Sequence, residues 1–369
     1  MAKVIVKHSF YDYERLKLQI SEILSGLCSG VRFNNSRIIL KPNLLSASVP
    51  EAAITTHPLL VKAVAECIIA RGGKPVICDS HAIGSFGRIL ETGGYIGAMK
   101  GMDVEFREFR RSVPVDIGPP FGKIELAGDA LEADFIINIP KLKTHTQMLM
   151  SLGVKNMFGC VVGFRKPEWH FRTGVDRGLF ARLLTQIYAA VKPGLTILDG
   201  ILAMEGQGPG RSGKPRRLDL LMASDDAVAL DMAVCRALGM DPACLLTNEA
   251  ATDMGLAPGY EIAGDLPCIK DFVLPRMTPL IFGPPGLQRL ARRYLVQRPA
   301  VIAGKCRMCM ECLKFCPAGA VVERNGVLGF VYDKCIRCYC CLEVCPHGAL
   351  EARDTFFSRM AGRVFRGRG

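Results

Sequence analysis

Residues 1–275 alternate short apolar runs with longer segments whose apolar positions recur at helical spacing. Met1-Ala2-Lys3-Val4-Ile5-Val6-Lys7-His8 reads as a first strand. Arg37-Ile38-Ile39-Leu40, Pro75-Val76-Ile77-Cys78, Phe135-Ile136-Ile137-Asn138-Ile139 and Leu195-Thr196-Ile197-Leu198 read as further strands. His57 to Arg71 reads as a helix with Leu59, Leu60, Ala63, Val64 and Cys67 on one face. Thr55 or Thr56 is its expected cap, and Gly72-Gly73 its stop. Asp225 to Leu238 reads as another helix, ended by Gly239, with Asp226 a candidate cap. Alternation of this kind predicts an α/β fold with a largely parallel sheet over residues 1–275.

Polar residues gather just after these strands, where open parallel sheets bind ligands. The groups are Lys41-Pro42-Asn43; Asp79-Ser80-His81; Asn138 with Lys141, Lys143 and His145; Lys155-Asn156; and Asp199-Gly200. Lys41, Asn43, Lys141, Lys143, His145, Lys155 and Asn156 are therefore expected to line one cleft that takes a small anionic ligand. His145, beside two lysines, is an acid–base candidate. Gly208 to Lys214 fits G-x-x-x-x-G-K, but Pro215 stands where a phosphate loop needs Ser or Thr. The following Arg216 to Met222 looks like a strand, so an ordinary surface loop is expected, with a lid over the cleft the alternative.

Near the C-terminus the pattern changes to two cysteine tetrads. The first is Cys306-x2-Cys309-x2-Cys312-x3-Cys316-Pro317, and the same spacing returns in Cys335-x2-Cys338-x2-Cys341-x3-Cys345-Pro346. Three closely spaced thiolates wrap one face of a cubane, and the fourth ligand comes from the other run. Cys306, Cys309, Cys312 and Cys345 are thus assigned to one [4Fe-4S] cluster; Cys316, Cys335, Cys338 and Cys341 are assigned to the second. Structural zinc is disfavoured, because zinc sites pair two distant C-x2-4-C units. Cys340 is read as a free thiol or core contact. Residues 320–331 read as two short strands about an Asn325-Gly326 turn.

Lys41-Pro42-Asn43, Asn138 to His145, Gly153-Val154-Lys155-Asn156-Met157-Phe158-Gly159 and Asp199-Gly200 resemble the marker stretches of the DUF362 family. That resemblance implies a prokaryotic protein whose α/β domain is followed, as in many members of the family, by a ferredoxin module. It supplies no reaction and no residue roles.

The expected organisation is an α/β domain (1–275), a basic linker (276–300), a small α+β ferredoxin-like domain (301–354) and a basic amphipathic tail (355–369). The net charge of +12 over 369 residues comes without the aromatic–basic interleaving of RNA binders, so nucleic acid is not the expected partner. No apolar run approaches the ~20 residues of a membrane span. A cytoplasmic protein with at most peripheral membrane contact is expected. Its clusters would exchange electrons with a ligand of the α/β domain or with a protein redox partner. The alternative is a ligand-binding or assembly protein whose clusters are structural or sensing. No flavin, nicotinamide or radical-SAM signature settles whether it is an oxidoreductase.

Overall fold

The computed structural model describes residues 1–163, 165–174, 176–277, 294 and 296–355. The expected tail beyond residue 355 and most of the expected basic linker lie outside the described residues. The dominant element is one large mixed sheet. Its strands are β1 (Ala2–His8), β2 (Arg37–Pro42), β3 (Lys74–Asp79), β4 (Glu105–Glu108), β7 (Phe135–Ile139), β10 (Leu195–Gly206), β11 (Gly213–Ser224) and β12 (Tyr260–Ala263). They run in the order β12-β1-β11-β10-β7-β2-β3-β4, with β8 (Lys141–His145) pairing β10 and β9 (Leu149–Ser151). The centre, β10-β7-β2-β3-β4, is parallel, whereas β11 runs antiparallel to both β1 and β10. A separate hairpin, β5 (Ser112–Asp116) with β6 (Lys123–Ala127), flanks it.

Both faces of the central sheet are covered, which explains the near-continuous apolar strands. Ile38, Leu40 and Ile77 pack with Leu16, Ile20 and Leu24 of one helix and Leu60, Val64 and Ile68 of another. Their strand neighbours Ile39, Val76 and Cys78 face the opposite layer with Phe180, Leu184 and Ile187. The helix expected from His57 spans Pro58–Ile69, and its cap differs from the expectation: His57 Nδ1 accepts from Leu59 N at 3.2 Å. The Thr56 hydroxyl is engaged on the sheet side, accepting from Asn43 N at 2.9 Å and donating to Ile139 O at 2.7 Å.

The C-terminal module is small and antiparallel. β13 (Arg298–Val301) pairs β16 (Leu350–Arg353), and β14 (Val321–Arg324) pairs β15 (Val327–Phe330). Asn325 and Gly326 both have positive φ, as the tight turn between β14 and β15 requires. Its two short helices, Glu311–Lys314 and Cys340–Glu343, occupy the same place within their respective tetrads.

Two features seat this module against the sheet. Ile83, from the loop after β3, is buried in the module's apolar cluster with Cys312, Val321, Leu342 and Val344. The 12-residue strands β10 and β11 form a long hairpin whose tip also reaches the module. There Ser212 Oγ donates to Leu350 O at 3.3 Å, and a Cβ on Gly210 would lie 3.4 Å from Glu343 O. The phosphate-loop pattern is thus followed by β11, with no helix to receive a phosphate. The stretch is a brace rather than a free surface loop, and its Pro209 lines the large cavity described below. Gly208 is essential to its path, since a Cβ there would collide with Thr144 O.

Asp226 caps the helix Ala227–Ala237, accepting from Val228 N at 2.8 Å and Ala229 N at 2.9 Å, while Tyr188 donates to its other oxygen at 3.0 Å. Asp226→Ala is expected to lower unfolding free energy by about 1–2 kcal/mol, read as a shift in urea midpoint with cluster absorbance retained in the folded baseline.

Candidate functional site: a cavity between the sheet and the cluster module

The backbone of the module repeats as faithfully as its sequence. Met308 and Met310 have positive φ, and so do Arg337 and Tyr339, their counterparts in the second tetrad. Ala320 N donates to Cys316 Sγ and Ala349 N to Cys345 Sγ, each at 3.2 Å. Two small cavities result. One is lined by Cys306, Cys309, Cys312 and Cys345, the other by Cys316, Cys335, Cys338 and Cys341. Burial and then repulsion from Cys345, Cys309 and Cys306 push the Cys312 thiol up to about 12. Thiolates crowded in this way need a positively charged partner, so the donor set fits an iron–sulfur core. Among the described residues no three His, Cys, Asp or Glu side chains close around a single ion. Each set of four instead surrounds a volume, as a polynuclear group requires. Cys340 lines neither cavity.

A much larger cavity, about 680 Å³, opens between the C-terminal strand ends and the module. That volume suits a drug-sized molecule. Its floor is a network of side chains from β2, β7, β8 and the helix Gly153–Asn156. Lys143 Nζ donates to Asn43 Oδ1 and Ile54 O, both at 2.8 Å. Asn43 Nδ2 donates to Asn156 Oδ1 at 3.0 Å, and Asn156 Nδ2 to Asn138 Oδ1 at 2.8 Å. Asn138 Nδ2 in turn donates to Gly153 O at 3.0 Å. Asp231 holds the start of that short helix by accepting from Gly153 N at 2.8 Å and Val154 N at 3.0 Å. Burial raises its carboxyl to about 7 despite these bonds.

Beside the network, Lys41 Nζ meets Asp79 Oδ1 at 2.8 Å with both side chains almost wholly buried. The other carboxylate oxygen accepts from Leu44 N at 2.9 Å. Gly159 lies directly against this pair: a Cβ there would collide with both Asp79 Oδ1 and Lys41 Nζ. The glycine that ends the Gly153–Gly159 stretch is there for close approach.

The remaining walls are electrostatically tuned. His145 Nδ1 accepts from Gln147 N at 3.1 Å and Met148 N at 3.3 Å, which places its proton on Nε2. Nε2 stands 2.8 Å from Glu343 Oε1, short of hydrogen-bond alignment, so the neutral ring turns its N–H toward the carboxylate. Burial holds the His145 pKa at about 4. Burial would also raise Glu343, but His145, Lys155 and His170 together keep it at about 2. Lys143 is lowered to about 7 by burial and then by Lys155, and Lys166 to about 8 by burial. Lys155 is lowered by burial too, against the pull of Glu343 and Cys340. Its ammonium has no hydrogen bond or ion pair among the described residues.

The structure brings Lys41, Asn43, Lys143, His145, Lys155 and Asn156 to this cavity. It sets Lys141 apart, correcting that expectation. Lys141 Nζ is bound by Asp199 Oδ2 and Tyr11 OH, each at 2.9 Å, in a fully buried knot away from the lining. Pro140 separates β7 from β8, and the register with β10 then sets Lys141 opposite Asp199. Sequence reasoning missed Lys166, His170, Cys340 and Glu343 as lining residues. Lys166 and His170 share the helix Arg165–Thr173 with i, i+4 spacing, a signal that was present but not tied to a strand end.

The module's contribution to the wall is the pair of short helices. Glu311, Phe315, Cys340 and Val344 line the cavity, and each is next in sequence to a cluster cysteine. Glu311 and Cys340 are repeat mates, as are Lys314 and Glu343, and Phe315 and Val344.

An α/β domain with a cavity at its strand ends, walled by a ferredoxin-like module, defines an iron–sulfur dicluster protein. Residues 305–350 match the 4Fe-4S dicluster domain, and the chain carries two [4Fe-4S] clusters. Residues 38–236 match the domain of unknown function DUF362, and the chain belongs to that family. It is similar to the thylakoid-associated protein sll1697 of Synechocystis sp., with 39% identity over 284 residues, covering 75% of this chain and 88% of that protein. The lactate racemase apoprotein from Thermoanaerobacterium thermosaccharolyticum gives a slight likeness at 13% identity and a TM-score of 0.37. It covers 53% of this chain and 49% of that one.

Anaerobically prepared protein is expected to hold about eight iron and about eight sulfide per chain. Cys316→Ala is expected to keep about half of both. Adding Cys338→Ala to it should remove no further iron, whereas adding Cys309→Ala should remove the rest. The reverse pattern would show that the fourth ligands do not cross. Cys340→Ser should leave iron content unchanged.

Proposed function

We propose that this chain binds a small organic anion in the cavity and that its clusters exchange electrons with the bound molecule. One observation carries the reading: the wall facing the cationic strand ends is built from residues adjacent to cluster ligands. The cavity lining contains six lysines and arginines against four acids, so an anionic ligand is complementary. Phe109, Phe158 and Phe315 supply an apolar surface for its body. Lys155 is the side chain with a donor to spare, and Lys166 lies opposite the same space. His145, neutral and with its proton toward Glu343, orients that wall. When bound, the clusters supply one-electron transfer.

The ligand-binding alternative also has a specific support. Ile83 and the β10–β11 tip seat the module on the sheet, so clusters that only maintain the module's shape would also maintain the cavity. For location, we propose the cytoplasm. The name of the thylakoid-associated relative, with the arginines in the sequence of residues 355–369, supports peripheral membrane contact as a proposal.

4-Nitrophenyl phosphate joins an anionic head to a reducible aromatic body and serves as probe. Reduced protein is expected to be reoxidised by it with saturation kinetics, competed by phenyl phosphate. Lys155→Ala should weaken the apparent affinity about 10–100-fold, the equivalent of one charged hydrogen bond. Reoxidation that never saturates and ignores Lys155 would overturn the proposal. Saturable binding of phenyl phosphate without reoxidation by the nitro compound would favour structural or sensing clusters.

A further inference from the structure

The internal repeat allows one half of the module to be compared with the other, position by position. In the second half the cysteines are enclosed: Cys335, Cys338 and Cys341 are all buried. The cover is this chain's own. Tyr339 donates to Gln297 O at 2.8 Å, and Tyr332 donates to Pro299 O at 3.0 Å. Arg337 and Arg298 both lie over the Tyr332 ring, at 5.3 and 4.7 Å from its centroid. Pro299 itself lines the cavity of that thiol set.

The first half has no such cover among the described residues. Ala303 stands where the repeat has Tyr332, and it is exposed. Met308 and Met310, the mates of buried Arg337 and Tyr339, are half-exposed. Cys309 is exposed, whereas its mate Cys338 is buried. Around it Lys305, Arg307, Pro346 and His347 are exposed as well. Arg307 and His347 line the cavity of Cys306, Cys309, Cys312 and Cys345, and no acid does.

We propose that this uncovered face docks an acidic one-electron carrier protein. Two methionines give a small, adaptable apolar centre, and Lys305 and Arg307 give a cationic rim. A ring of opposite charge on the carrier would steer it to the one thiol edge that reaches the surface. The chain's own C-terminal residues are a poor occupant. Residues 356–369 contain Arg359, Arg363, Arg366 and Arg368 and no acid, and so carry the same sign as the rim. In the exchange, one electron leaves the reduced carrier and enters the iron–sulfur group held by Cys306, Cys309, Cys312 and Cys345. The carrier is oxidised, and no bond is made or broken. The proposal rests on the electron-exchange reading but not on what fills the large cavity.

The test uses the full chain with both clusters and flavodoxin, an acidic flavin carrier, as probe. Binding between the two oxidised proteins is measured by calorimetry at low and high salt, so that no electron moves. Association that weakens with salt is expected, with little binding of cytochrome c, a basic carrier. Lys305→Glu with Arg307→Glu should weaken flavodoxin binding about tenfold or more and slow reduction by flavodoxin hydroquinone in proportion. Iron content and the EPR spectrum should not change. Lys123→Glu, on the distant β5–β6 hairpin, should leave binding intact. Undiminished binding in the double variant with intact clusters would overturn the proposal. So would tighter binding of cytochrome c, binding that appears only after residues 356–369 are deleted, or a dimer that the double variant dissolves.

Discussion

The Lys41 ammonium is buried at the end of a parallel strand, and the Asp79 carboxylate meets it there. Breaking such a pair from one side strands a charge and costs about 3–5 kcal/mol. The pair ties the end of β2 to the end of β3 and fixes the two loops that leave them, one through Leu44 and one through Ser80, whose N–H donates to Asp79 at 2.9 Å. Gly159 can settle against it only because it has no side chain. The asparagine network and Lys155 are placed by that descent of the chain. The loop after β3 also carries Ile83 into the module. The position of the cavity, and of the module that closes it, follows from how one charge is buried.

The parts of the molecule that depend on local chemistry could be read from the chain. The continuous apolar run Ile38-Ile39-Leu40 marked a strand of the kind that is covered on both faces. The spacing of the tetrads marked the cluster sites, and Asn325-Gly326 marked a turn. Polar residues after β2, β7 and β8 pointed to the face where the cavity lies. What failed depended on register and on contacts between distant segments. Lys141 and Lys143 share one strand and one side of it, and only the pairing of β8 with β10 hands the first to Asp199. Glu343 lies between two cluster cysteines and its partner His145 far earlier in the chain, so no local pattern joins them. The Gly208–Lys214 stretch was rightly refused as a phosphate loop. Its true role required knowing how far a hairpin of two 12-residue strands reaches.

The buried titratable groups share one cause. Burial depresses Lys143, Lys166, His145 and His170 together, and the few acids present do not fully compensate. The cavity is lined by donors, and an anion bound there would supply the negative charge that the few acids do not. The charge of Glu343 is a counterweight contributed by the module, which makes the balance of the cavity a joint property of both parts.

The crossing of the fourth cysteines has a consequence for assembly. Each half of the module lends a cysteine to the cavity lined by the other half's three, so one half by itself leaves both sets incomplete. A chain holding one half alone would find its missing thiol only in a second copy, as a swapped pair related by a twofold axis. Carrying both halves in one chain makes that encounter intramolecular and independent of concentration. Two halves in one chain also need not be alike: one side has Tyr332, Arg337 and Tyr339 and is closed over, while the other has Ala303, Met308 and Met310 and is open.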